Sequence, residues 1–151
     1  MFTLTTLGSL DLRCATRGSV RTLLVQPKRL ALLVHLLVEA PGGFVRRDTL
    51  LALFWPEADE PRARAALRQA LLFLRRTLGG DVVATRGEDE VGIDPALVTC
   101  DAVAVRAELA AGRDAAALAG YGGEFLPGFL LDDAPGFAEW TAAQREALAR
   151  D

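Results

Sequence analysis

The sequence is poor in the residues that most site chemistry needs. It has one histidine, His35, and two cysteines, Cys14 and Cys100, in 151 residues. The cysteines stand far apart and in no metal-binding spacing, so they read as reduced thiols of a cytosolic protein. His35 has no serine, cysteine or second histidine at a spacing that would build a nucleophile or a metal site. No glycine-rich phosphate loop and no nucleophile elbow occur. Asp132-Asp133 is a carboxylate pair without an acid-base partner and reads as a solvated turn. The chain also lacks an apolar run long enough to cross a bilayer and the basic-then-apolar start of a secretory signal. These shortages argue against an enzyme, a cofactor or metal carrier and a membrane protein. They predict a cytoplasmic protein with no cofactor that works by binding.

Charged residues make up 25% of the chain and hydrophobic ones 51%, an ordinary globular balance. The length suits one compact domain, or a small domain with part of another. The net charge of −3 hides an asymmetry. Up to Pro95 there are 13 Lys+Arg against 11 Asp+Glu; from Ala96 onward there are 4 against 9. A polyanion partner is therefore expected only at a focused patch of the first part.

That patch is legible at residues 62–78, RARAALRQALLFLRRTL. At roughly 100° per residue, Ala63, Leu67, Ala70, Leu71, Leu74 and Leu78 gather on one side of a helix. Arg64, Arg68, Gln69, Arg75 and Arg76 fall on the other, and the stretch holds no acid. One reading is a DNA recognition helix; the other is a solvated surface helix.

The surrounding elements bear on that choice. Residues 2–25 read as short strands of a small antiparallel sheet: Phe2 and Leu4 alternate with threonines, Leu10 and Leu12 flank Asp11, and Leu23 and Val25 flank Leu24. Pro27 opens a strongly apolar helix that stops at Pro41-Gly42-Gly43. His35 is expected on its least apolar edge. Gly43-Phe44-Val45 reads as an extended link. Asp48 is expected to cap a short helix from Thr49 to Phe54 or Trp55, with Trp55 in the core. Pro56 and Pro61 then bracket an acidic loop before the arginine helix. Two β-prone runs around Arg86-Gly87-Glu88-Asp89 predict a hairpin after it. Helix, loop, basic helix and trailing hairpin together are the order of a winged helix-turn-helix. From Asp101 on, alanine-rich helices are expected over 102–111 and 114–120, broken at Gly112, with a third over 137–150 that carries Trp140. The helical pattern still runs at Asp151, which suggests the front part of a longer protein.

Many of these residues also fit a known family pattern. They include Leu7-Gly8, Gln26-Pro27-Lys28-Arg29, Arg47-Asp48, Leu53-Phe54-Trp55-Pro56-Glu57, Leu67-Arg68-Gln69-Ala70-Leu71, and Leu74-Arg75-Arg76. Asp101, Tyr121, Gly123, the run Glu124-Phe125-Leu126-Pro127-Gly128-Phe129, Trp140 and Arg145 continue the pattern. In their order and spacing the chain resembles the SARP-type bacterial transcriptional activators. These join an OmpR-like winged helix to an all-helical, tetratricopeptide-like bacterial transcriptional activation domain. The resemblance implies an α+β fold with a winged helix over residues 1–95 and the beginning of the activation domain over 96–151. It implies double-stranded DNA as partner, bound at promoter direct repeats with possible self-association there, and activation through RNA polymerase.

Under that resemblance Arg64, Arg68 and Gln69 are the expected base readers, being nearest the helix start. Arg75 and Arg76 are expected at phosphates. Leu72, at roughly 140° on the same face, is expected to be exposed and to touch a thymine methyl or pack on the wing. Arg86 is expected at the wing tip, toward the minor groove. Arg47 is expected on the DNA backbone, with Arg46, Lys28 and Arg29 either beside it or as ordinary surface charge. Glu57, Asp59 and Glu60 are expected either to face polymerase, since acids do not favour DNA, or to form an ordinary solvated turn. The rival reading is a winged-helix interaction module or adaptor that does not bind DNA.

Overall fold

The computed structural model describes residues 1–16 and 18–149, and within them the chain is α+β. The expected helix end at Arg150, and Asp151, lie outside the described residues.

Period-2 patterning gives the first sheet. In β1 (Phe2–Thr5) and β2 (Asp11–Cys14), Leu4 and Leu12 lie directly opposite each other and are fully buried. Their neighbours Thr3 and Arg13 face water. β3 (Gly18–Ser19) extends this antiparallel array. The sheet is mixed, not antiparallel throughout as expected. β7 (Val98–Cys100) joins on the other side of β1 in parallel, in the order β3-β2-β1-β7. Parallel pairing needs a long crossover, and no local pattern reports a partner so distant in sequence. The strand also lies beyond residue 95, so the first sheet is completed from the far side of the expected division.

Leu23 and Val25 do not form a strand. Residues Arg21–Leu24 are a single helical turn, α1, with Val25 N donating to Arg21 O at 3.1 Å and Gln26 N to Leu23 O at 2.9 Å. Leu23 is buried and Val25 is exposed.

α2 (Pro27–Glu39) begins on its proline as predicted, and every residue from Leu30 to Val38 is buried. It is the central post of the fold and contacts α1, the helices Arg47–Phe54, Glu60–Leu78 and Asp101–Ala110, and the strand Glu90–Ile93. His35 is not on an exposed edge: it is 3% exposed, with ring centroids 4.7 Å from Trp140 and 5.9 Å from Phe54. The polar-looking edge of α2 is covered by a helix whose Trp140 lies 105 residues further on, which the local sequence does not reveal.

Around this post stand β4 (Val45–Arg46), α3 (Arg47–Phe54), α4 (Glu60–Leu78), β5 (Val83–Arg86) and β6 (Glu90–Ile93). The second sheet runs β4-β6-β5, antiparallel throughout. Gly92 is required in β6, because a Cβ there would lie 2.2 Å from Gly43 O. Asp48 does not cap α3. The helix starts two residues earlier than expected and has no side-chain cap bond, and Asp48 sits inside its first turn, where a carboxylate suits the helix dipole. Trp55 is half-buried against the core, with the Lys28 ammonium 5.6 Å from its ring centroid.

α5 (Asp101–Ala110) and α6 (Asp114–Gly120) pack on each other and are separated at Gly112, whose φ of +77° suits a glycine. α7 (Pro135–Ala149) returns to the first half and packs on α3 and α5. Phe137 meets Phe54 at 5.3 Å, and Trp140 Nε1 donates to Glu39 Oε1 at 2.8 Å. The Asp101 carboxylate accepts from Thr6 N (2.8 Å), Thr6 Oγ1 (2.7 Å) and Leu7 N (3.0 Å), joining the start of α5 to the segment that follows β1. One hydrophobic core runs through both halves.

Candidate nucleic-acid interface

α4 is built for two environments. Asp59 caps it by accepting from Arg62 N at 3.0 Å, and Pro61 sits in the first turn where its missing N–H is not needed. Gly79, at φ +109°, ends the helix while its N–H donates to Arg75 O at 2.9 Å. Between these ends Ala63, Leu67, Ala70, Leu71, Leu74 and Leu78 are buried, the stripe predicted from the sequence. Arg62, Arg64, Arg68, Gln69 and Arg76 are exposed. Arg75 and Leu72 are half-buried, so Leu72 is less open to a ligand than its helical angle implied. Positions three and four away on a helix are surface neighbours, and for Leu72 these include Arg68, Arg75 and Arg76, whose stems can shelter it.

The expected acidic loop is shorter than its sequence brackets. Asp59 is the cap, and Glu60 already belongs to α4, where it holds Arg64. Glu57 remains in the exposed turn.

The arginines divide into held and free. Arg64 Nη2 lies 2.8 Å from Glu60 Oε1 and 3.4 Å from Asp48 Oδ1. The hydrogen bond to Glu60 raises its already high pKa. Arg86 is not at the turn tip. It ends β5 opposite Glu90, donates to both Glu90 oxygens at 2.9 and 2.8 Å, and lies over the Phe44 ring at 4.7 Å. That hydrogen-bonded pairing raises Arg86 and lowers Glu90. The turn itself carries Glu88 and Asp89, both exposed. Among the described residues Arg68, Arg75 and Arg76 have no ion pair.

Two concave surfaces flank α4. The first, about 520 Å³, is lined by Arg47, Leu51, Arg64, Leu67, Arg68, Glu88 and Asp89. It brings Arg47 of α3 together with Arg64 and Arg68 of α4. Arg47 N donates to Asp89 O at 2.7 Å, which pins the hairpin turn to the start of α3, and Arg47 Nε is buried without a partner. Gln69 is not in this cleft. It faces a second groove on the opposite side of α4, beside Lys28 and Arg29. The three expected base readers therefore do not share one surface.

Sequence reasoning missed Phe44 as the platform under Arg86 and Asp48 as a tether of Arg64. Phe44 was legible only as part of an extended link, and Asp48 reaches α4 only after α3 and α4 have packed.

The residues of classical site chemistry are elsewhere. Burial pushes His35 down to about 4, against a smaller opposing pull from Glu39. Burial pushes the Cys100 thiol up to about 11. Among the described residues no group of three or more His, Cys, Asp or Glu could hold a metal ion. No helix of the described residues is long and apolar enough to cross a membrane. No protein-family model matches the chain, and no curated protein is significantly similar to it.

Proposed function

We propose that this chain is a sequence-specific, double-stranded DNA-binding transcriptional activator of the winged helix-turn-helix type, like the SARP-type regulators it resembles. The observation that carries this is the outer face of α4, which among the described residues keeps Arg68, Arg75 and Arg76 without an ion pair, on a helix anchored by six buried apolar residues. A free guanidinium presents a planar fork of donors that matches a guanine edge or a phosphate. Three features support the winged-helix reading: α3 and α4 pack on each other, β5 and β6 form a hairpin after α4, and the turn of that hairpin is fixed to the start of α3. In this reading α4 enters the major groove, and Arg47, beside Arg64 and Arg68, meets the backbone.

The mechanism is recruitment, with no chemical step: DNA positions the protein, and a protein surface near Glu57 meets RNA polymerase. α5 and α6 fit the first helix pair of an activation array. The rival reading, an interaction module without DNA binding, draws on Glu88 and Asp89 at the mouth of the arginine cleft, where they repel phosphate. A selection of bound duplexes from a random pool tests both. Enrichment of a motif, and of a direct repeat in particular, is expected. A pool that stays random after several rounds contradicts sequence-specific binding.

A further inference from the structure

An ion pair joins the acidic second part of the chain to the basic first part. Lys28, in the first turn of α2, lies 2.7 Å from Asp133 Oδ2, an ion pair across 105 residues. Both Asp132 and Asp133 line the groove beside α4 that also carries Lys28, Arg29 and Gln69. These carboxylates are not on a loose tail. Leu131, Ala134 and Phe137 on either side of them are buried, at 6%, 0% and 2% exposure. The turn is thus clamped to the core while its acids stay in water. Arg29, which also lines the groove, stacks over the Phe73 ring at 4.6 Å, while the Lys28 ammonium is occupied by Asp133.

We propose that Asp132 and Asp133 form a built-in electrostatic competitor for phosphate. They neutralise Lys28 and hold negative charge beside the Gln69 edge of α4, and so lower the affinity of the chain for duplex DNA. The proposal rests on the DNA-binding reading. Asp132 and Asp133 are exposed and Lys28 is half-buried; an ion pair open to water on its carboxylate side adds little to stability, so the fold does not require it. A backbone phosphate nearing this edge must displace Asp133 and meet the field of both acids. At about 10 Å in water each carboxylate weakens binding by about a factor of two at low salt, and screening removes most of this near ~0.1 M.

The test is anisotropy titration of the full chain with a labelled duplex at low and moderate salt. Asp132→Asn with Asp133→Asn is expected to bind roughly fourfold tighter at low salt, with the gain fading as salt rises and the salt slope steeper by about one. Asp114→Asn with Glu139→Gln removes the same charge from α6 and α7, away from this groove, and is expected to give a clearly smaller gain. Lys28→Gln is expected to change little alone and to lose about twofold in the Asp132→Asn, Asp133→Asn background. Unchanged affinity on neutralising the pair overturns the proposal, as does an equal gain from the remote control or an equal loss from Lys28→Gln in both backgrounds. If neither the parent chain nor the neutralised variant binds duplex, the DNA-binding reading itself falls, and this proposal falls with it.

Discussion

α4 and the α2–α7 interface handle polar groups in opposite ways. On α4 the charged groups stand in water over a continuous apolar stripe, and three arginines are left without ion pairs among the described residues. Between α2 and α7 a lone imidazole is sealed among Phe54 and Trp140, and among the described residues neither of its nitrogens has a hydrogen-bond partner. One region holds charge available, and the other suppresses it. Changes in the α2–α7 interface, and on the buried side of α4, should therefore alter stability without altering ligand preference. Changes on the outer face of α4 should do the reverse.

The largest effect is expected from the buried side of α4. Leu74→Ala, at a fully buried position, should cost about 2–5 kcal/mol, read as a lowered denaturation midpoint. A loss below about 1 kcal/mol would mean that α4 is not anchored as described.

Acid should break the α2–α7 interface next. His35 is held neutral, with its pKa lowered to about 4 from an ordinary 6.5. The unfolded chain therefore binds the proton more tightly, and stability is full above about pH 6.5. It declines as pH falls toward about 4, by at most about 3 kcal/mol. Denaturant melts between pH 7 and 5 report this cleanly, because no other side-chain type ordinarily titrates there. His35→Leu should flatten the dependence, and a variant that keeps the full slope would place its cause elsewhere.

How much of this was legible in the sequence follows from the same contrast. The α4 stripe and the proline start and glycine stop of α2 are local patterns that stand where the sequence put them, and the hairpin around Gly87 forms with Arg86 in its first strand instead of in its turn. What the sequence hid depends on distant partners. Leu23 and Val25 alternate like a strand, yet the backbone closes a helical turn there. Asp48 has cap chemistry but is the second residue of the helix and pairs with Arg64, 16 residues away. Val98–Cys100 completes the first sheet from some 96 residues further along the chain than its partner Phe2–Leu4. His35 becomes core only when Trp140 arrives. At the candidate interface the arginine face was visible from periodicity. The division between tied and untied arginines was not, because Glu60, Asp48 and Glu90 act through packing. Nor was the separation of Gln69 from Arg68 across α4.

On the outer face, Arg68→Ala should cost about 1–3 kcal/mol of specific DNA affinity with an unchanged denaturation midpoint. Equal affinity for a selected duplex would remove Arg68 from the interface. Arg64→Ala should cost less than Arg68→Ala, since Arg64 must give up contacts with Glu60 and Asp48 to reach DNA. The reverse order in the same titration would mean that those carboxylates position Arg64 for binding.

The central claim is that an acidic chain carries one basic reading face, and the salt dependence of duplex binding tests it most directly. A plot of log affinity against log salt should fall steeply for the parent chain, and Arg76→Ala should make its slope shallower by about one. A parent chain whose duplex binding is absent at low salt, or insensitive to salt, would contradict the account.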